Sequence, residues 1–146
     1  MKNNDMNMHV RGASVFVDDI VTPEGCLHAA LYTSRVARGI IHSLDISKAA
    51  AAPGVVAVYT HRDIPGLNQV GHVSKDQPLL AVDKVEYIGQ PIALIVAQTR
   101  RQALLAAKLV TADIEQLEAV FDPRVAFERG MIHGQKSILV KGDTSA

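Results

Sequence analysis

The sequence predicts an α+β domain, a mixed β-sheet with one long packing helix at about residues 100–110 and one or two short helices. Three observations predict it. The stretch 87–110, YIGQPIALIVAQTRRQALLAAKLV, passes from a continuous apolar segment into apolar residues spaced by three and four. That change of period separates a buried strand from an amphipathic helix. Upstream, short apolar runs are divided by Pro, Gly and Asp turn signals. The 146 residues are 48% hydrophobic but only 4% aromatic, with no Trp, which sets the size of one domain and gives it an aliphatic core.

Taken in order, Ala13 to Val17 (ASVFV) reads as a short strand stopping at Asp18-Asp19, with a turn through Thr22-Pro23-Glu24-Gly25. Cys26 to Thr33 (CLHAALYT) and Gly39 to Ile46 (GIIHSLDI) read as two strands that can pair across residues 34–38. Ser47 is placed to cap a short helix from Lys48 to Ala52, ended by Pro53-Gly54 before the run Val55 to Tyr59, which together describe a β-α-β unit. Residues 60–66 (THRDIPG) form one helical turn closed by Pro-Gly, and a polar loop follows as far as Pro78. A loop of this length without pattern is a place to look for function.

Leu79 to Ala81 and Val85 to Ile88 are short extended pieces around Asp83-Lys84. Gly89 supplies a backbone conformation other residues avoid, and Pro91 suits the first position of a strand. Ile92 to Ala97 then reads as a strand buried on both faces. Ile92, Leu94 and Val96 on one face, with Ile95 opposite, are expected to make its contacts with the helix that Thr99 caps. The apolar stripe of that helix is Ala103, Leu104, Ala107 and Val110, with Arg101, Gln102 and Lys108 toward water. Thr111 to Leu117 is a further strand and Pro123 to Glu128 a short helix. Asp143 or Thr144 offers a helix cap with no helix to follow, so the chain reads as cut from something longer.

Charge and cysteine content exclude several classes. Fifteen Lys and Arg balance fifteen Asp and Glu, so the basic field that nucleic acid or an anionic membrane demands is missing, and neither is expected as a partner. Cys26 is the only cysteine, which excludes an intrachain disulfide framework or a multi-thiolate cluster and fits a reducing cytoplasm. The start, MKNNDMNMHV, lacks the apolar core of a signal peptide, and no apolar run approaches the length of a membrane span.

Chemistry-bearing patterns are absent. The histidines at 9, 28, 42, 61, 72 and 133 make no i, i+4 pair and no H-E-x-x-H, and Cys26 has no C-x-x-C companion. Asp18-Asp19 could hold a cation, but neighbours on a strand face opposite ways and a strand end accounts for both. Ser34 with Arg35 and Arg38 could make an anion site or simply a solvated loop. No nucleophile elbow, phosphate-binding loop or dinucleotide fingerprint is present. No catalytic, cofactor or metal residue is assigned.

Several stretches in one order nevertheless resemble a known family. GASVFVDDI at 12–20, APGVVAVYTHRDIPG at 52–66, PLLAVDKVEYIGQPIALIVAQT at 78–99, the A-x-x-A-A-x-L-V helix and D-I-E-x-L at 113–117 are similar to the N-terminal a/b hammerhead domain. That domain opens the molybdenum-binding large subunit of the xanthine dehydrogenase and aldehyde oxidase family. The resemblance covers about residues 9–142 and departs where the family has a Pro at the position of Glu118 and an acidic, Glu-rich strand at Ala112-Asp113.

The polar start, residues 1–8, is expected to be mobile, and what the resemblance implies is a hammerhead fold over 9–130 and a connector at 131–146 leading toward molybdenum-cofactor-binding domains absent from the chain. The parent enzyme would hydroxylate a purine such as xanthine, or an aldehyde, at a molybdenum held by a molybdopterin-type cofactor, with electrons leaving through iron-sulfur clusters to FAD. Its remaining molybdenum-binding domains and its iron-sulfur domain or subunit would be the partners. This chain would be a non-catalytic structural domain with no cofactor of its own. One position carries over: the loop after D-I-P-G approaches the substrate funnel in the family, which implicates His72 and Val73 after Gly71. The competing reading is a stand-alone small-molecule or protein-binding module of hammerhead type.

Overall fold

The computed structural model describes residues 4–73, 75–132, 139, 141 and 142. Six strands and four helices are present among them: α1 (Asn4–Val10), β1 (His28–Thr33), β2 (Gly39–Asp45), α2 (Ser47–Ala50), β3 (Val55–Tyr59), β4 (Lys84–Val85), β5 (Pro91–Ala97), α3 (Arg100–Ala107), β6 (Thr111–Gln116) and α4 (Pro123–Glu128). The α+β expectation holds. In place of one mixed sheet, the strands divide into two three-stranded sheets, ordered β1-β5-β3 and β4-β2-β6, and every pairing is antiparallel.

β5 is central to the first sheet, as its uninterrupted apolar sequence requires. α3 packs across one face of that sheet, where Ala30, Ile95 and Ala97 meet Ala103, Ala106, Ala107 and Val110. Alanine at most of these positions lets helix and sheet approach closely. A second cluster of Ala81, Val85 and Ile92, with Tyr32, Val36, Ile41, Leu44 and Ile114 against it, joins the two sheets.

The connection at the top of β5 answers to Gly89 and Gln90. Gly89 has φ +91° and donates its N–H to the Ser34 carbonyl at 2.9 Å, while Ser34 N–H donates to the Gln90 carbonyl at 2.9 Å. The buried Gln90 side chain also accepts from the Glu86 N–H at 2.7 Å. One glycine and one glutamine thereby tie the end of β1 to the exit of β4.

Several local expectations are corrected. β1 and β2 do not pair, because the end of β1 is held to Gly89-Gln90 and β2 instead lies between β4 and β6. Gly39 permits this: a Cβ there would stand 2.7 Å from the Glu115 carbonyl oxygen. With β2 and β3 in different sheets, no β-α-β unit exists. Residues 13–16 form no strand, and 17–19 make a 3₁₀ turn in which the Asp19 carboxylate accepts from the Phe16 N–H at 2.9 Å. The alternation was there, but no neighbouring strand offers it a ladder.

Ser47 is the first residue of α2 rather than its cap, and the Asp45 carboxylate accepts its N–H at 2.9 Å. In α3 the buried stripe is Ala103, Ala106, Ala107 and then Val110, whereas Leu104 is exposed. The helix ends at Ala107 because Lys108 and Leu109 donate to carbonyls three residues back, tightening the last turn. Thr99 does cap it, accepting from the Gln102 N–H at 3.2 Å.

The contacts of β5 are divided differently from the expectation. Ile95 and Ala97 face α3, Ile92 is buried against Ala81 and Val85 in the second cluster, and alternation directs Leu94 and Val96 away from the helix, where both are only half-buried. The expected Asp143 or Thr144 cap lies outside the described residues.

Candidate functional site

The chain leaves β3 through Thr60, whose N–H and hydroxyl both donate to one oxygen of Asp63, at 2.7 and 2.9 Å. The Thr60 oxygen in turn accepts from the Arg62 N–H at 3.3 Å. These bonds hold the Asp63 carboxyl below its usual range and fix a 3₁₀ turn at 61–63. The loop that follows starts in a set direction.

Its base is clamped by Asn68. The side-chain amide donates to the Leu80 carbonyl at 2.7 Å and accepts from the Leu80 N–H at 3.0 Å, a two-bond pairing that imitates a strand neighbour. A second tie runs from Val70 N–H to the Gln77 carbonyl at 2.8 Å, and the Gln69 side chain accepts from the Val70 and Gly71 N–H groups at 3.0 and 3.1 Å. Beyond that neck the tip carries His72 and Val73, both exposed, with Val73 at 96%. An aliphatic side chain is thus held out on a bonded stalk. Nothing in the residue types marked Asn68 or Gln69 in advance; each is one polar residue in a polar segment.

The other candidates do not converge. Among the described residues no three His, Cys, Asp or Glu side chains come together as metal donors. His42 pairs with Glu115 across β2 and β6 at 2.9 Å on an open surface, and His9 bonds Ser14 and stacks on Phe16. His133 lies outside the described residues. Ser34 is buried with its hydroxyl bonded to the Val36 backbone, and Arg38 donates to the Glu118 carbonyl at 3.1 Å, so Ser34 offers no free hydroxyl to an anion. Asp19 is occupied in its own turn and Cys26 is a free, exposed thiol. Glu118, where the family pattern has proline, forms an ion pair with Arg129 at 2.6 Å that lowers its pKa.

A cleft of about 580 Å³ opens between the 86–88 turn and residues 119–132, bounded by Ile88, Val120, Phe121 and Met131 with Arg38 and Glu86 at its edge. Its lining is mainly apolar, with Tyr87 beside Glu86 and Arg38 as its polar groups.

Comparison with known families decides what kind of domain this is. Residues 11–118 match the family described as aldehyde oxidase and xanthine dehydrogenase, a/b hammerhead domain. The chain belongs to that family. Xanthine dehydrogenase of Oryza sativa subsp. japonica is 37% identical over 137 residues, 93% of this chain and 10% of the relative. The nicotinate dehydrogenase large molybdopterin subunit of Eubacterium barkeri is 39% identical over 131 residues, covering 88% of this chain and 31% of its own length.

Among solved structures, aldehyde oxidoreductase from Desulfovibrio gigas superposes with a TM-score of 0.74 at 32% identity, over 82% of this chain and 14% of that one. The hammerhead therefore spans a small part of each molybdenum hydroxylase it resembles. Both three-stranded sheets and the loop of residues 67–77 lie within the matched region.

Proposed function

We propose that this hammerhead domain is a non-catalytic structural part of a molybdenum hydroxylase that oxidises purines such as xanthine, or aldehydes. It packs against the molybdenum-binding domains and the iron-sulfur domain or subunit of that enzyme, in the cytoplasm. The observation that carries the reading is the family match across 11–118 in a chain whose described residues offer no donor set for molybdenum or iron. On this reading the molybdopterin-type cofactor, the iron-sulfur clusters and FAD are held by the other domains or subunits of the parent enzyme. No helix among the described residues is long and apolar enough to cross a membrane, and charge balance disfavours nucleic acid.

Within that enzyme the 67–77 loop contributes His72 and Val73 to the wall of the substrate funnel. Support comes from its bonded stalk and its exposed aliphatic tip. The test has two arms. The chain produced alone should contain no molybdenum, iron or flavin and reduce no dye with xanthine or an aldehyde. The chain tagged in its native host should purify with molybdenum near one per chain and with that activity. A native preparation lacking molybdenum would favour a stand-alone binding module.

A further inference from the structure

The sequence of β5, PIALIVA, has no polar residue on either face, and a strand of that kind is built to be covered on both. The described residues cover one along its length, and only at the strand's start is Ile92 buried as well, against Ala81 and Val85. α3 lies over Ile95 and Ala97, both fully buried. On the other side the register sets Leu31, Leu94 and Tyr59 in a row across β1, β5 and β3, and Ala29, Val96 and Ala57 in the next row. Leu31 is 50% exposed and Tyr59 44%, and neither Leu94 nor Val96 packs into a core cluster. The bulge at Val56 adds a further apolar side chain, 55% exposed. No charged residue interrupts the two rows.

We infer that this open face of the β1-β5-β3 sheet is the surface on which the domain docks against the cofactor-bearing part of its own enzyme. The inference rests on the reading above and names the surface that reading requires. Size selects the occupant. Three strands about 4.8 Å apart and five residues long present roughly 250 Å², well below the ~800 Å² per partner that holds a free-standing complex together. A second copy of the chain could not be retained by it alone. A neighbour already held in the same enzyme needs no such area, because its effective concentration is set by the rest of the assembly. The relatives supply such a neighbour: the matched region is 10% of the rice dehydrogenase and 14% of the Desulfovibrio gigas chain.

The experiment places a thiol on each edge strand, Leu31→Cys and Tyr59→Cys, both with Cys26→Ser to remove the exposed native thiol. Maleimide labelling rates are measured on the recombinant chain and on the tagged, molybdenum-containing assembly from the native host. Two separate variants guard against one failing to fold. Labelling at least tenfold slower in the assembly supports the inference. Equal rates in an assembly that does contain molybdenum overturn it and leave the functional reading standing. A native preparation with no molybdenum overturns both. Protection already present in the recombinant chain, with a doubled mass, assigns the face to a second copy and overturns the inference.

Discussion

Asp63 carries much of the loop's geometry on a single oxygen. Two donations from Thr60 stabilise its ionised form and hold its pKa below the ordinary value of 3.8. The same direction applies to Asp45, which receives Ser47, and to Glu118, which receives Arg129. A carboxyl depressed by folding contributes stability above its unfolded pKa and loses it as pH falls through the lower folded value. Stability should therefore decline below about pH 4. Asp63→Ala should lower the melting temperature at pH 7, and the gap from the parent chain should shrink at pH 3, as followed by circular dichroism. A gap that stays constant with pH would show that the carboxylate charge is irrelevant to the turn. Thr60 and Asp63 were visible in the sequence only as part of a turn; which atoms bond cannot be read from spacing, because several side chains near a Pro-Gly stop could serve.

At the scale of elements, the central strand and its helix were legible because both patterns are long and uninterrupted. Thr99 stood at the one position where a cap was needed, and the structure has it there. Thr99→Ala should cost about 0.5–2 kcal/mol in a urea melt, the usual range for losing a cap. A loss indistinguishable from zero would mean the helix is held by packing alone. What could not be read was the strand's orientation. PIALIVA is apolar on both sides, so its period cannot say which face meets the helix, and the Leu94 face was assigned to the wrong side. Burial now ranks the two faces. Ile95→Ala should cost about 2–5 kcal/mol as a core deletion, while Leu94→Ala, half-exposed in this chain, should cost about 0.5–1.5 kcal/mol, between surface and core. Equal losses would mean that the open face is covered within the chain. The false strand at 13–17 and the false pairing of β1 with β2 share a cause: short alternating runs specify extended backbone but not the partner, which here is decided by Gly39, Gly89 and Gln90.

For the whole molecule, family membership was legible from the order of several weak motifs, while the site remained a single loop whose tip faces solvent. Val73 is 96% exposed at the end of a stalk clamped by Asn68 and Gln69. In the hydroxylase proposed above, that side chain would bound a passage to the reacting centre. Val73→Trp should then narrow that passage and lower kcat/KM for a bulky purine by roughly tenfold or more relative to a small aldehyde, where the enzyme accepts both. A steric change of this size acts on access and positioning, where small displacements cost large factors. Molybdenum content should be unchanged, since no residue of the loop belongs to a donor set among the described residues. Parallel steady-state measurements on the two substrates, with metal content determined on the same preparation, decide it. Equal effects on both substrates at full cofactor loading would place the loop on the outer surface, away from the funnel.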